Sequence, residues 1–140
     1  MLQLYSETQV GKLVLNNQDI VFDNKVEQTG CTATANVPTN TITLNKAGFY
    51  IVDFNAIVSN DDSVNEFLNV IMQNNGVDVY SAQAGATSSS TSDIENIEFT
   101  TLVRVRHNCC AVDNTTRLQF KVTVSNVLVY FANVVVTKIA

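Results

Sequence analysis

The chain has 140 residues, a length typical of one domain, and 46% of them are hydrophobic while only 15% are charged. The net charge is −5 and the eight lysines and arginines are scattered singly, which argues against nucleic-acid binding. So few charges favour a domain whose surface is partly covered by other subunits. We therefore expect one domain over residues 1–140, with residues 1–10 as a candidate N-terminal arm or anchoring segment.

The first residues do not resemble a signal peptide, because 1–7 lack a basic region followed by an apolar core. No apolar run approaches the ~20 residues that span a bilayer, so we expect no membrane insertion. The three cysteines are too few and too oddly spaced for a disulfide framework. Cys31, Cys109 and Cys110 are expected to be reduced and to pack as small hydrophobic residues.

Alternation with a period of two dominates the chain and predicts half-buried strands. It is clearest in residues 49–58, 99–105 and 118–124. Residues 64–73 read as a further strand that enters an Asn-Gly hairpin at 74–76. Turn signals divide the chain into about eight to ten strands, which predicts an antiparallel sandwich or barrel.

The small polar stretch at residues 82–93 is expected to form a long loop at one end of this sandwich. The dry faces of two central strands provide the predicted core. Its residues are Tyr50, Val52, Phe54, Leu118, Phe120 and Val122.

The last strand, residues 127–139, is apolar on both faces. An antiparallel strand in a simple sandwich has one wet face, so something other than water should cover the second face here. Closure by the N-terminal segment of the same chain is one explanation, and a subunit interface is the one we favour. The predicted interface residues are Phe49, Ile51, Leu128, Tyr130, Ala132, Val134 and Val136.

The order of these elements resembles the tumour-necrosis-factor-like and complement-q-like jelly rolls. Residues 41–52 look like the short strand and turn glycine that lead into a long central strand with an aromatic residue after the glycine. Residues 68–76 are similar to the family's hairpin strand that ends in an Asn-Gly turn, and residues 127–140 occupy the place of its closing, axis-lining strand.

The resemblance implies an all-β, antiparallel jelly roll of about ten strands that forms a homotrimer. It implies a non-enzymatic virion structural protein, either a phage head fibre or a capsid-decoration domain, with capsid proteins as partners and the virion as its location. The alternative is a receptor- or glycan-binding module on a bacterial cell or spore surface that recognises a host glycan or protein. An enzyme of the cupin type would need a cluster of histidines, and the chain has one.

No cofactor is predicted, but two segments carry groups that could bind a metal. His107 lies beside Cys109 and Cys110, although ligands so close together on an extended chain cannot all converge on a Zn²⁺ ion. Residues 60–66 gather oxygen ligands suited to Ca²⁺, but they lack the spacing of known calcium loops. We interpret this second segment as a solvated acidic turn, with calcium binding as the alternative.

Overall fold

A computed structural model of the protein describes residues 1–107 and 115–140. These residues form ten strands and no helix, so none contributes a helix that could span a membrane. The strands are β1 (Leu2–Val14), β2 (Asn24–Gln28), β3 (Ala33–Thr34), β4 (Ile42–Leu44), β5 (Gly48–Asn60), β6 (Glu66–Asn74), β7 (Val77–Ser88), β8 (Glu95–Val105), β9 (Thr116–Thr123) and β10 (Val127–Lys138). The expected all-β jelly roll of about ten strands is confirmed.

The strands form two five-stranded antiparallel sheets that pack face to face. Sheet A has the order β2-β1-β10-β5-β8, and sheet B has the order β3-β4-β9-β6-β7. Each sheet turns one face towards the shared core, because apolar residues alternate with polar ones along most strands. In the strand order of sheet A, β10 is the central strand.

The core between the sheets contains every residue that we predicted for it. Each of the six is at most 2% exposed. Phe120 of sheet B stacks on Phe54 of sheet A, with 4.8 Å between ring centroids, and meets the edge of Phe22 at 5.9 Å. The dry faces of the two central strands were therefore assigned correctly.

Two segments differ from the expectation. Residues 82–88 form the second half of β7 and pair with β6, so the predicted long loop shrinks to residues 89–94. Gly85 lies on this edge strand at a point where an added Cβ atom would collide with the Phe67 ring of β6. Residues 2–10 belong to β1, and residues 2–7 pair with β10, with Leu2 and Leu4 fully buried, so this segment is part of sheet A and not a detached arm.

The Asn-Gly hairpin between β6 and β7 is present as predicted. Asn75 and Gly76 both have positive φ angles, of 51° and 80°, which a type I′ turn requires. Asn75 also accepts a hydrogen bond through its side-chain oxygen from the Arg117 backbone N–H at 2.8 Å. This contact ties the hairpin to β9.

The two chain ends lie at the same end of sheet A. The Met1 carbonyl accepts a hydrogen bond from the Thr29 N–H at 2.9 Å, and the Ala140 carbonyl accepts one from the Phe49 N–H at 3.0 Å. At the opposite end, the Asn126 side-chain oxygen accepts a hydrogen bond from the Asn16 N–H at 2.9 Å. The turns at this opposite end, which we call the loop end, cover residues 15–18, 61–65, 89–94 and 124–126.

Candidate subunit interface on sheet A

The face of sheet A that points away from the core carries an unusual number of apolar side chains. We call it the outer face. Its residues alternate with core residues along four adjacent strands, so their side chains project to the opposite side. They include Gln3, Tyr5, Phe49, Ile51, Asn55, Ile57, Leu102, Leu128, Tyr130, Phe131, Asn133 and Val135. An apolar face that is continuous over neighbouring strands is typical of an interaction surface.

A β-bulge in β10 decides which residues reach this face. The pairing of β10 with β5 shifts by one residue between Val129 and Phe131. Every side chain after the bulge therefore projects to the side opposite to the one that a strict alternation assigns.

The predicted interface residues consequently divide into two groups. Phe49, Ile51, Leu128 and Tyr130 lie on the outer face, half-buried in the single chain. The other three are fully buried in the core of their own subunit, so their assignment to the interface was wrong; these are Ala132, Val134 and Val136. Phe131 and Val135 take their places on the outer face.

Tyr130 is held by its own chain. Its hydroxyl lies 3.1 Å from the Ser59 Oγ and donates a hydrogen bond to the Thr91 carbonyl at 3.2 Å. Its ring covers Gly11, where an added Cβ atom would come within 3.1 Å of the ring. The tyrosine therefore fixes the loop end of sheet A.

Three amide side chains form a row across the middle of the outer face. Gln3 donates from Nε2 to the Asn133 Oδ1 at 3.0 Å, and Asn133 donates from Nδ2 to the Asn55 Oδ1 at 3.1 Å. We call these residues the amide row; it crosses β1, β10 and β5. Sequence reasoning missed it, although one signal was present: Asn133 is the only amide within an otherwise apolar terminal strand.

The margin of the outer face along β8 is polar except for Leu102. Asp53 accepts a hydrogen bond from the Thr100 hydroxyl, and both line a shallow recess of about 400 Å³ together with Asn55 and Glu98. At the terminal end of the same margin, the Arg104 guanidinium lies 5.5 Å from the centre of the Phe49 ring. The outer face thus has an apolar and amide centre and a charged rim, the usual composition of a subunit interface.

The predicted oxygen-rich loop brings three carboxylates together. Single oxygens of Asp61, Asp62 and Glu66 lie within 4.8 Å of one another. Loss of hydration, followed by the charges of Asp62 and Asp61, raises the pKa of Glu66. Asp62 also accepts a hydrogen bond from the Val64 N–H at 2.9 Å, as in an ordinary acidic turn, and calcium binding stays a prediction.

The second candidate metal segment falls largely outside the described residues. Cys109 and Cys110 lie in the part of the chain that the structure does not describe. His107 is exposed at the end of the preceding segment, and Cys31 is an exposed free thiol. The expectation that Cys31 packs as a small hydrophobic residue is therefore wrong.

No protein-family model and no curated protein matches the sequence. Solved structures do match over almost the whole chain, and tumour-necrosis-factor-type jelly rolls are among them. The PRD1 vertex protein P5 is 16% identical, with a TM-score of 0.59, and the match covers 99% of this chain and 96% of that one. Murine APRIL is 10% identical with a TM-score of 0.62, covering 99% and 98%. The Eiger TNF from S. frugiperda is 14% identical with a TM-score of 0.61, covering 99% and 91%.

At these identities the comparisons show the fold alone. They confirm the resemblance to tumour-necrosis-factor-like jelly rolls that the order of the strands indicated.

Proposed function

We propose that the protein is a non-enzymatic virion structural protein, a head-fibre or capsid-decoration domain that assembles as a homotrimer. The observation that carries the proposal is the outer face of sheet A. Its apolar centre spans neighbouring strands, and the apolar side chains there remain partly exposed in the single chain. A vertex protein is among the structures with the same fold, which supports a location on a virion.

A trimer explains the outer face better than a monomer does. Burying apolar surface stabilises an assembly by ~25 cal/mol per Å², and obligate interfaces cover on the order of 2,000–5,000 Å². Contacts between unlike surfaces also form closed rings when their rotation closes, which prevents growth into fibres. The similar structures are a vertex protein and tumour-necrosis-factor-type proteins rather than enzymes, which supports a non-enzymatic role.

Size-exclusion chromatography coupled to light scattering at micromolar concentration tests the assembly. We expect a single species of three times the chain mass of 15.3 kDa. A compact monomer would contradict the trimer.

The virion role is tested separately, by probing purified particles from the producing cells with an antibody against the protein. Co-sedimentation is expected, and protein that stays entirely in the supernatant would contradict it.

The loop end favours a second candidate, a receptor- or glycan-binding module on a bacterial or spore surface. Val64 and Val124 are 63% and 60% exposed there, at the end opposite to both termini. Saturable binding of the trimer to cells or spores, together with absence from particles, would establish this alternative.

A further inference from the structure

The amide row interrupts an otherwise apolar part of the outer face. Phe131 and Ile57 are paired on one side of it, and Val135 lies on the other. Amide groups on a face that becomes buried cost free energy unless each finds a hydrogen-bond partner. The row therefore restricts what can cover the outer face.

The hydrogen bonds of the row run in one direction. Each amide nitrogen donates to the carbonyl oxygen of the next residue, from Gln3 through Asn133 to Asn55. The side-chain oxygen of Gln3 at the β1 end and the side-chain nitrogen of Asn55 at the β5 end have no hydrogen-bond partner among the described residues. The row thus leaves a carbonyl oxygen without a donor at the Gln3 end and an NH₂ group without an acceptor at the Asn55 end, and the nitrogens of Gln3 and Asn133 each carry a second N–H beyond the one in the row. Exchanging nitrogen and oxygen in all three amides would reverse the direction but keep this asymmetry.

A surface that covers the row must supply a donor at one end and an acceptor at the other. A second copy of this chain supplies both, because the Asn55 end of one subunit can donate to the Gln3 end of the next. Such a contact joins two different surfaces. It is heterologous and satisfies every subunit only when the ring closes.

We propose that the amide row sets the register and the number of subunits in the assembly. This inference rests on the proposed homotrimer and adds the residues that make the trimer specific. The physical reason is the one that applies to a single buried asparagine in a coiled coil. An apolar side chain in its place allows several arrangements of similar energy, whereas the amide is satisfied in only one.

The test is Asn133→Val, which removes the middle of the row and places an apolar side chain on the outer face. The matched control is Gln83→Leu on β7 of sheet B, which removes an amide that accepts a hydrogen bond from Asn69 at 3.1 Å. Native mass spectrometry with light scattering should find only trimers for the wild type and for the control. Asn133→Val should lose the single trimer mass and distribute over at least two stoichiometries.

The outcomes separate this inference from the proposed function. A wild-type monomer would overturn the trimer itself. A wild-type trimer with an Asn133→Val variant that is also exclusively trimeric would overturn the role of the amide row and leave the trimer standing. If circular dichroism shows that Asn133→Val does not fold, Asn55→Val replaces it, because this variant removes the donor end of the row. A mixture of stoichiometries would then support the role of the amide row, and an exclusively trimeric variant would overturn it.

Discussion

Phe120 is the residue on which the two sheets meet. Its ring stacks on Phe54 and lies near Phe22 and Phe99, and it is fully buried. Phe120→Ala should lower the free energy of unfolding by ~3–5 kcal/mol, because it removes a large side chain from a packed core and leaves a cavity. Urea denaturation measures this loss. Tyr80→Ala, at a residue that is 76% exposed, is the control and should change the stability little; a Phe120→Ala loss below about 1 kcal/mol would contradict the core assignment.

Val124 holds a backbone conformation that its side chain disfavours. Its φ angle is 76°, in the left-handed region, and a β-branched residue there is a marked exception. Val124→Asn should raise the free energy of unfolding by about 1 kcal/mol, because asparagine tolerates this region. The same change at Val26, an exposed residue of β2 with a negative φ angle, should bring no gain. Equal effects at the two sites would show that the strain is not relieved.

Glu66 should make the stability of the subunit depend on pH. Because the folded state raises the pKa of Glu66, it binds a proton more readily than the unfolded chain does. The contribution of Glu66 to stability is therefore fully present below its unfolded-state pKa and is lost as the pH rises through the raised pKa of the folded state. Glu66→Gln removes the charge, so its melting temperature should exceed that of the wild type at pH 7, and the difference should vanish in acid.

Glu27→Gln on the exposed strand β2 is a matched control for this measurement. A glutamine oxygen can still accept the hydrogen bond that Thr29 donates to Glu27 at 3.0 Å, so this change should leave the melting temperature at pH 7 close to that of the wild type. A Glu66→Gln melting temperature equal to that of the wild type at pH 7 would contradict the raised pKa of Glu66.

At the scale of the element, the bulge in β10 places Val134 in the core and Val135 on the outer face. The same substitution should therefore have different effects at the two positions. Val134→Asp should prevent folding, because it puts an unpaired charge into the core. Val135→Asp should give folded but monomeric protein, because it brings like charges together between subunits on the outer face. Gln83→Asp on sheet B is the control and should remain trimeric. Circular dichroism and light scattering distinguish these results, and the opposite behaviour of the two valines would show that the faces are reversed.

The strands that could be predicted are those whose alternation continues without interruption. Residues 49–58 and 118–124 have one dry face each, so their core residues follow directly from the sequence. The bulge after Val129 could not be predicted, because it arises from the pairing of β10 with β5 and leaves no mark in the local pattern. The second half of β7 was missed for a related reason: alanine, glycine and serine have weak strand propensity, and only β6 holds them in the sheet.

The sheet that carries the apolar outer face was predictable, but the detail of that face was not. The two apolar faces of the last strand indicate its place in this sheet, whereas the two hydrogen bonds of the amide row join residues that are 130 and 78 positions apart in the chain. Such a contact depends on the register between strands. No single stretch of sequence specifies that register.

At the scale of the whole molecule, assembly should stabilise the fold. A trimer that buries the outer face couples folding to association, so the melting temperature of the wild type should rise with protein concentration. Val135→Asp should melt at a temperature that does not depend on concentration. Differential scanning calorimetry over a hundredfold range of concentration measures this, and a wild-type melting temperature that stays constant would argue against obligate trimers.

The central position of β10 has a consequence for the order of events during synthesis. The strand occupies the middle of sheet A, between β1 and β5, yet the ribosome makes it after the other nine strands. Until β10 emerges, neither β1 nor β5 has a partner strand on its β10 side. The apolar inner surface of sheet A then stays exposed and can form non-native contacts. Nascent chains that lack residues 127–140 should therefore remain sensitive to protease and depend on chaperones. The subunit becomes resistant only when translation has passed its final strand.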